Sequence, residues 1–364
     1  MPNRRDFLRH AAGAGAGMLL FGPRISPQDQ RPAKHAPVLI NGRRVKAVDV
    51  HAHIYVPEVA EMFQGTPLEH PAAGGGAIDR DKYLSSERIR KMDEMGVDVQ
   101  ALSVNTFWYS LDRDKATRLI DLQNRRVAEM IQAANPERFV GFASVALQFP
   151  ELAAQQLEEG MKRFGFRGAA IGPTCGAEEL SSPKFDPFWA KAEELQALIF
   201  VHPQDSAKAT GITARVGGNG DLDNVIGNPL ETTIFLSHMI FEGTLDRFPN
   251  LKICAAHAGG YLPSYPGRMD WGCYVTPERC QKPIKKKPSE YLKQIYFDSL
   301  VFTPEGLRHL AAEVGASQIG LGTDYPFPWS EAPVDLVMQT PELSDADREA
   351  ILGGTMCKLL KIPS

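Results

Sequence analysis

Two histidines separated by one residue, His51 and His53, are the first candidates for chemistry in this chain. They end the apolar stretch VKAVDVHAHI, residues 45–54, whose valines and alanines predict a buried strand. On a strand, residues i and i+2 point to the same side. The pair therefore projects two imidazoles from the carboxyl end of one strand into a small volume, as a first-row metal ion requires. An H-x-H pair alone is a modest signal, since two imidazoles make only half of a metal site.

Three later polar residues also follow short apolar runs and strengthen the metal hypothesis. LIFVHPQD carries His202, LKICAAHAGG carries His257 and IGLGTDYPFP carries Asp324. Each has an ordinary structural explanation as well. His202 is a candidate polar end of a strand, His257 a core histidine bonded to backbone, and Asp324 a turn former. The metal hypothesis explains all of these positions together.

Apolar runs and helical patterns alternate along the chain and predict how these residues are positioned. The predicted helices are 85–96, 115–135, 150–164, 188–196, 229–248, 304–314 and 344–360. The predicted strands are 45–54, 97–104, 138–147, 166–173, 198–203, 251–257, 294–300 and 317–324. Strands that are apolar at nearly every position are typical of a parallel sheet buried on both faces.

Eight strands separated by helices predict an α/β fold of the (β/α)₈ TIM-barrel type. An open doubly wound sheet is the main alternative, but no GxGxxG follows the first strand. In a barrel the carboxyl ends of the strands meet at one mouth, where catalytic groups collect. The candidates from strands one, five, six and eight are therefore expected to converge there, with Asp298 at the end of strand seven beside them.

Four stretches are similar to those of a known family: VDVHAHI, FVHPQD, ETTIFLSHMIFEGTLDRFPNLKICAAHAGG and LGTDYPFP. They resemble the amidohydrolase-related, metal-dependent family typified by aminocarboxymuconate semialdehyde decarboxylase, which includes resorcylate and carboxyvanillate decarboxylases. The resemblance implies an amidohydrolase-like barrel that binds one divalent ion, Zn²⁺ in the first place and Mn²⁺ in the second. It implies His51, His53, His202 and Asp324 as metal ligands. His257 would be catalytic beside the metal, together with Asp324, rather than a ligand.

The predicted fourth strand indicates a single metal ion. Many amidohydrolases bridge two ions with a carbamylated lysine at the end of that strand. Here the strand ends AAIGPTCG, without a lysine.

The resemblance also implies where the substrate binds. An arginine that a neighbouring subunit contributes in the family matches Arg268 in YPGRMDWG. The arginine of the long loop after strand one falls at Gly76, with Arg80 nearby, and the tryptophan after the strand-five His-Pro is Gln204. Aromatic residues after strands two and eight are candidates for a pocket wall or for packing: Trp108, Tyr109, Phe327 and Trp329. The substrate-binding prediction comprises Arg268, Arg80, Trp108, Asp298 and Phe327.

These residues favour a metal-dependent, non-oxidative decarboxylase, a carboxy-lyase of an aromatic or unsaturated carboxylic acid. In such an enzyme, protonation of the carbon that bears the carboxylate lets CO₂ leave without redox chemistry. The alternative is a hydrolase of the same fold, in which water activated at the metal attacks a lactone, ester or amide and His257 protonates the leaving group. A third hypothesis is an exported binding protein without catalysis.

Composition excludes several other classes. The chain has 364 residues, is 43% hydrophobic and has a formal net charge of −4, which argues against a nucleic-acid surface. Its five cysteines include no CxxC pair, so neither a zinc ribbon nor a disulfide scaffold is indicated. Cys273 and Cys280 are close enough in sequence to form a disulfide, but nothing in the sequence requires it.

The amino terminus is typical of a targeting segment. NRRDFLRHAAGAGAGMLLFG places Arg4-Arg5 before a mildly apolar run, which matches a bacterial twin-arginine export signal. The alternative is a disordered basic tail. We expect residues 1–44 to be signal and linker and residues 45–364 the catalytic barrel. The expected location is periplasmic or exported, with the twin-arginine machinery and a second copy of the chain (a homodimer) as partners.

Overall fold

The computed structural model describes residues 35–73, 83–204, 211–280 and 284–363. This part of the chain consists mainly of parallel strands, each followed by a helix. Arg80, Gly76 and the export signal lie outside the described residues, and the domain boundary at residue 44 remains a prediction. The barrel strands are β1 Val48–His53, β2 Val99–Ser103, β3 Phe139–Gly141, β4 Gly168–Ile171, β5 Leu198–Val201, β6 Lys252–Ala255, β7 Ile295–Asp298 and β8 Ile319–Gly320.

The eight strands close into one ring. β1, β2 and β3 pair in parallel in sequence order, and so do β4 to β8. Three parallel bridges in the described residues join these sheets: Ala143 with Ala169 after β3, and Asp49 with Leu321 and Ala52 with Tyr325 between β1 and the segment after β8. The predicted (β/α)₈ barrel is therefore confirmed, and its sequential order brings β8 back beside β1.

One main helix follows each barrel strand. All of the outer helices except the sixth bury apolar residues against the core, as α2 does with Leu119, Ile120 and Val127. The helices are, in order, α1 Ser86–Met95, α2 Arg113–Ala134, α3 Pro150–Arg163, α4 Asp186–Leu195, α5 Asn228–Phe241, α6 Pro266–Val275, α7 Pro304–Val314 and α8, which comprises Asp345–Glu349, Ala350–Gly354 and Thr355–Leu359.

Short elements occupy the loops between the main ones. The α-helical ones are Pro57–Met62, Glu69–Ala72, Thr213–Val216, Thr244–Arg247 and Pro333–Gln339. The 3₁₀ and π turns are Pro183–Phe185, Asp223–Gly227, His257–Gly259, Leu262–Ser264, Pro277–Arg279, Pro288–Gln294 and Ala316–Gln318. Two antiparallel hairpins pair Leu39–Ile40 with Arg43–Arg44 and Thr174–Cys175 with Glu178–Glu179. Among the described helices, none has both the length and the apolar composition needed to cross a membrane.

The barrel interior is apolar below its mouth. Val50, Phe142 and Phe200 belong to one buried cluster, in which the two phenylalanine rings stack with centroids 5.9 Å apart. Met356 and Leu360, in and after α8, belong to the same cluster, so the carboxyl-terminal segment contributes to this core. The polar candidates therefore lie above a packed core and not in a water-filled pore.

Three elements differ from the sequence-based prediction. The end of the predicted linker folds as the first hairpin, since Val38 and Ile40 are buried in the main core. The predicted helix 229–248 breaks at Gly243, whose φ of 72° is left-handed. Helix α6 was not predicted, because it buries none of its residues and so lacks an apolar stripe.

Candidate metal centre

A bulge in β1 turns both histidines of the H-x-H pair toward the barrel mouth. Asp49 pairs with Gln100 of β2 but Ala52 pairs with Leu102, so three positions of β1 match two positions of β2. After the bulge, the His51 ring contacts Phe200 of the barrel interior, with centroids 4.9 Å apart. His53 is equally buried.

The loop after β8 carries Asp324 to the same place. The backbone N–H of Asp324 donates to the carbonyl of His51 at 2.8 Å, and the N–H of His53 donates to the carbonyl of Tyr325 at 2.6 Å. Asp324 has a φ of 62°, which is uncommon for a residue other than glycine and is found preferentially at functional sites. Barrel closure thus fixes the aspartate beside both histidines.

Four side chains converge on a common point. One ligand atom from each of four residues lies within 4.8 Å of all the others: His51, His53, His202 and Asp324. Asp324 Oδ1 is 3.1 Å from His51 Nε2, 2.9 Å from His53 Nε2 and 4.0 Å from His202 Nε2. Within the described ranges this is the one cluster of its kind, and it is the ligand set expected from the sequence.

Hydrogen bonds at the opposite ring nitrogen orient each of the three histidines. His51 Nδ1 donates to Asp298 Oδ2 at 2.6 Å, and His202 Nδ1 donates to the carbonyl of Pro203 at 2.7 Å. His53 Nδ1 lies 3.0 Å from the hydroxyl of Ser103, which itself donates to the carbonyl of Ala52. Because Nδ1 carries the proton and donates it to the protein, the lone pair on Nε2 is free, which is the arrangement usual for histidines that bind metals.

His257 lies beside this group but is held differently. Its Nε2 is 3.6 Å from Asp324 Oδ2, the oxygen that does not face the other three imidazoles. Its Nδ1 is buried and has no hydrogen-bond partner among the described residues. Its backbone N–H donates to Asp298 Oδ2 at 2.8 Å. Without an acceptor at Nδ1, this ring lacks the contact that orients the other three, which agrees with its expected place beside the metal and not among the ligands.

Burial and the carboxylates set the charge of the cluster. Burial lowers the pKa of His53 to about 4 and that of His202 well below its usual range, so both rings are neutral and offer lone pairs. Burial also acts to lower the pKa of His51, but Asp324 and Asp298 outweigh it and raise this pKa to about 10. Burial acts to raise the pKa of Asp324, yet the neighbouring histidines hold it well below its usual range. The two carboxylates thus favour positive charge at this point.

The residues present fit one divalent ion. Three imidazole nitrogens and one carboxylate oxygen form a donor set that suits zinc and is acceptable to manganese. Buried lone pairs that are turned toward one another are unfavourable unless a cation or a proton lies between them. The geometry therefore supports the expected mononuclear site.

Asp298 supports the site from below and is not a substrate contact, which corrects the sequence-based expectation. Its side chain is fully buried, and both oxygens accept hydrogen bonds from the protein. Oδ2 accepts from His51 and from the backbone of His257, and Oδ1 accepts from the backbone of Ala258 and Leu300. With four donors already bound, the carboxylate has no free lone pair directed at a ligand.

A second buried network, which the sequence-based prediction missed, holds the bulge. Asp49 accepts from the Thr323 hydroxyl at 2.6 Å and from Gln100 Nε2 at 3.0 Å. Gln100 in turn accepts from Arg88 Nε at 2.9 Å, and Arg88 also donates to the carbonyl of His53 at 2.7 Å. Burial raises the pKa of Asp49 to about 6. The signal for this network was an aspartate inside an otherwise apolar strand, two residues before His51.

A cavity of about 530 Å³ opens beside the metal centre. His257 and Asp324 line it, together with Phe302, His309 and Trp329 among others. Volumes of this size are typical of small-molecule sites. The two residues predicted to be catalytic are therefore accessible to a ligand.

Of the aromatic and arginine residues predicted to bind the substrate, only some lie at the metal centre. Phe327 lies at the metal centre, with its ring 5.8 Å from that of His53, and fits the predicted wall. Trp108 does not, because its indole is fully buried and donates to the carbonyl of Val145 at 2.9 Å. Arg268 is exposed on α6 and lines a separate cavity of about 520 Å³, so a single chain does not bring it to the metal.

Gln204, at the position of the family's tryptophan, joins three loops at the mouth. Its amide donates to the carbonyl of Thr174 at 2.9 Å and accepts from the Thr106 hydroxyl at 2.7 Å. It lines another cavity, of about 760 Å³, on the side of β2 and β4.

The fold and the site together define a family. The family model described as "Amidohydrolase" matches residues 48–362, and the chain belongs to this family. It is 32% identical over 286 residues to 2-amino-3-carboxymuconate-6-semialdehyde decarboxylase of Dictyostelium discoideum, covering 78% of this chain and 78% of the relative.

Two solved structures illustrate the likeness in fold. The 5-carboxyvanillate decarboxylase of Sphingomonas paucimobilis superposes with a TM-score of 0.78 at 23% identity, covering 88% of this chain and 100% of that one. A dihydroxybenzoic acid decarboxylase of Polaromonas sp., with bound manganese and the inhibitor 2-nitroresorcinol, gives a TM-score of 0.72 at 26% identity, covering 87% of this chain and 97% of that one. The family expected from the sequence is confirmed.

His202 belongs to the metal-binding cluster and His257 lies beside it, so we expect their alanine variants to behave differently. His202→Ala removes one of four donors, and we expect it to lose the bound metal ion. His257→Ala leaves all four donors in place, and we expect it to retain about one equivalent of metal. Elemental analysis of both purified proteins is the measurement. Loss of metal in His257→Ala would reassign that residue as a ligand.

The anchoring of His51 by Asp298 predicts a loss of metal affinity in Asp298→Asn. The asparagine amide group would face backbone and imidazole N–H groups that need an acceptor, so the ring loses its orientation. We expect affinity to fall about 10- to 100-fold, as for other partners that orient metal-binding histidines. Chelator competition measures the effect. Asp335→Asn is the control, because Asp335 pairs with His35 at the surface, and an equal effect in both variants would contradict the assignment.

Proposed function

We propose that this protein is a metal-dependent, non-oxidative decarboxylase of an aromatic or unsaturated carboxylic acid. The observation that carries the proposal is the pairing of a four-ligand site with a separate histidine, His257, at the same cavity. The decarboxylase relatives described above support the choice of reaction. They share most of their length with this chain, including the barrel that builds the site.

The reaction replaces a carbon–carboxylate bond with a carbon–hydrogen bond. A carboxylate anion and one proton yield the shortened product and CO₂, and no electrons are gained or lost. A divalent ion held by His51, His53, His202 and Asp324 would supply positive charge that binds substrate oxygens and disperses their negative charge. The chain itself must then deliver one proton to carbon and exclude competing water.

We propose that His257 and Asp324 deliver that proton. His257 Nε2 and Asp324 Oδ2 are 3.6 Å apart, and both residues line the cavity. Transfer from His257 to the carbon that bears the carboxylate leaves that carbon tetrahedral. The electron pair of the carbon–carboxylate bond then returns to the ring or double bond as CO₂ departs. Asp298 holds the His257 backbone in place during the transfer, at 2.8 Å.

Zinc is our first proposal for the metal, and manganese is the second. Three imidazoles and a carboxylate favour zinc by ligand type. Manganese in the Polaromonas relative supports the second. Metal-free protein loaded separately with each ion distinguishes them, because we expect turnover to be higher with zinc. Turnover that manganese restores and zinc does not would reject the first proposal.

We also propose that α6 forms the contact between two copies of the chain. It buries none of its own residues, and Trp271 and Tyr274 on it are 63% and 75% exposed. Exposed aromatic residues clustered on one helix are typical of an interface. Arg268 lies on the same helix, in agreement with the arginine that a neighbouring subunit supplies in the family.

Export through the twin-arginine pathway remains a proposal. The disulfide between Cys273 of α6 and Cys280 of the segment after it supports this proposal, since disulfides form and persist in oxidising compartments. Replacing Arg4 and Arg5 with lysines should leave the protein in the cytoplasmic fraction. An unchanged distribution between cell fractions would reject the proposal.

The decarboxylase proposal predicts CO₂ release that depends on both metal and His257. Metal-loaded protein should release CO₂ from at least one member of a panel of hydroxybenzoates and muconates. His257→Asn should lower this rate about 10²-fold or more, because the group that delivers the proton is lost. Hydrolysis of lactones or esters without CO₂ release from any acid would favour the hydrolase alternative.

The interface proposal predicts that charge on α6 dissociates the dimer. In sedimentation experiments the wild-type protein should behave as a dimer, and the double variant Trp271→Glu/Tyr274→Glu as a monomer. Tyr83→Glu is the control, since Tyr83 is also exposed but lies before α1. A monomeric wild-type protein, or a variant that remains dimeric, would contradict the interface.

A further inference from the structure

The cavity beside the metal centre is larger than a one-ring acid requires. Its volume of about 530 Å³ lies within the range that buries ligands of drug size. The walls are mostly apolar, with Leu300, Val301 and Leu310 among them. Among the described lining residues Asp324 is the one carboxylate, and none is a lysine or arginine. The space beyond the reacting group therefore suits an uncharged extension of the substrate.

Phe302 forms one side of this outer space and is held in a strained turn. The N–H of Thr303 donates to the carbonyl of Val301 at 2.8 Å, which closes a three-residue turn around Phe302. The φ of Phe302 is 63°, an outlier for a bulky side chain and a feature that collects at ligand sites. One step earlier, Leu300 N–H donates to Asp298 at 3.1 Å. The ring is thus positioned relative to the metal centre by the backbone.

Trp329 lies next to Phe302 and is tied in the same way to a metal ligand. The N–H of Phe327 donates to the carbonyl of Asp324 at 2.9 Å, and the N–H of Trp329 donates to the carbonyl of Phe327 at 2.9 Å. The rings of Phe302 and Trp329 lie 6.1 Å apart at an angle of 57°. We call this pair the aromatic wall.

The aromatic wall is exposed in a way that folding alone does not explain. Phe302 is 57% exposed and Trp329 is 38% exposed, although both line the cavity that contains His257 and Asp324. Large apolar side chains held in strained or tightly turned backbone, yet left partly uncovered, stabilise the fold little. A ligand with an apolar surface of its own would cover both rings.

We infer that the aromatic wall is a subsite for a second aryl ring, or an equally flat uncharged group, attached to the acid that reacts at the metal. This inference rests on the proposed function for the identity of the reacting end. The acid end lies between the metal ligands and His257, and the extension packs on Phe302 and Trp329. The substrate class is therefore an aryl-substituted aromatic or unsaturated acid rather than a small one-ring acid.

Binding of matched probes tests the inference without requiring turnover. The probes are 2-nitrophenol and its 4-phenyl and 5-phenyl derivatives, in which the nitro group replaces the carboxylate and cannot leave as CO₂. Calorimetric titration of metal-loaded wild-type protein gives their dissociation constants. We expect the better phenyl derivative to bind about tenfold or more tightly than 2-nitrophenol, the order expected for stacking one aryl ring on aromatic side chains.

Two variants attribute this gain to the aromatic wall. In Phe302→Ala/Trp329→Ala the advantage of the phenyl group should disappear, whereas the affinity for 2-nitrophenol should stay within about twofold. Tyr83→Ala is the matched control, because Tyr83 is 37% exposed and lines none of the cavities described above, and it should keep the full advantage. Equal affinity of all probes for the wild-type protein, or an advantage that survives the double substitution, would overturn the inference. Failure of CO₂ release would reject the reaction and leave this binding result standing.

Discussion

The pairing of the last strand with the first is the constraint on which this site depends. Asp324 and the two β1 histidines are far apart in sequence, and they meet only because β8 closes the ring beside β1. Backbone hydrogen bonds of 2.6 and 2.8 Å then interlock the two strand ends directly at the ligands. A buried aspartate, Asp49, reinforces the same joint through Thr323. The same strand pairing that closes the barrel therefore also brings the metal-binding residues together.

The four imidazoles of the site fall into two groups, according to whether the protein binds their Nδ1 atom. His51, His53 and His202 each have Nδ1 bound by a protein acceptor, which fixes the ring and directs Nε2 toward the common point. His257 has no such anchor among the described residues and keeps freedom to exchange a proton. Asp324 serves both groups, with Oδ1 toward the ligands and Oδ2 toward His257. The metal-binding residues and His257 thus differ in how they are held, although they lie within a few ångströms of one another.

Much of this arrangement could be predicted from the sequence because it follows from periodicity and order. Apolar runs with a polar end indicate the strands, and parallel order brings their ends together, so the four metal-binding residues were identified and His257 was expected beside them. The roles of side chains that depend on packing were less accessible. Whether Trp108 faces a ligand or the core depends on the carbonyl of Val145, 37 positions away, and no local pattern reports that contact.

Two further features depended on tertiary context that the sequence pattern does not encode. The oxygens of Asp298 are saturated by His51 Nδ1 and by backbone N–H groups of the loops after β6 and β7, which makes it a support and not a ligand contact. Helix α6 has no apolar stripe toward the barrel, so its pattern lacked the usual helical signal. Both cases show that the sequence predicts which residues lie at the barrel mouth but not which groups they contact there.

Anomalous X-ray diffraction from crystals of metal-loaded protein, recorded at the absorption edges of zinc and manganese, tests the central claim most directly. The account predicts one anomalous peak at the barrel mouth, bound at about 2.0–2.3 Å by Nε2 of His51, His53 and His202 and by a carboxylate oxygen of Asp324, with His257 outside bonding distance. A peak elsewhere, a second peak beside the first, or an ion bound by His257 in place of one of the four would contradict it.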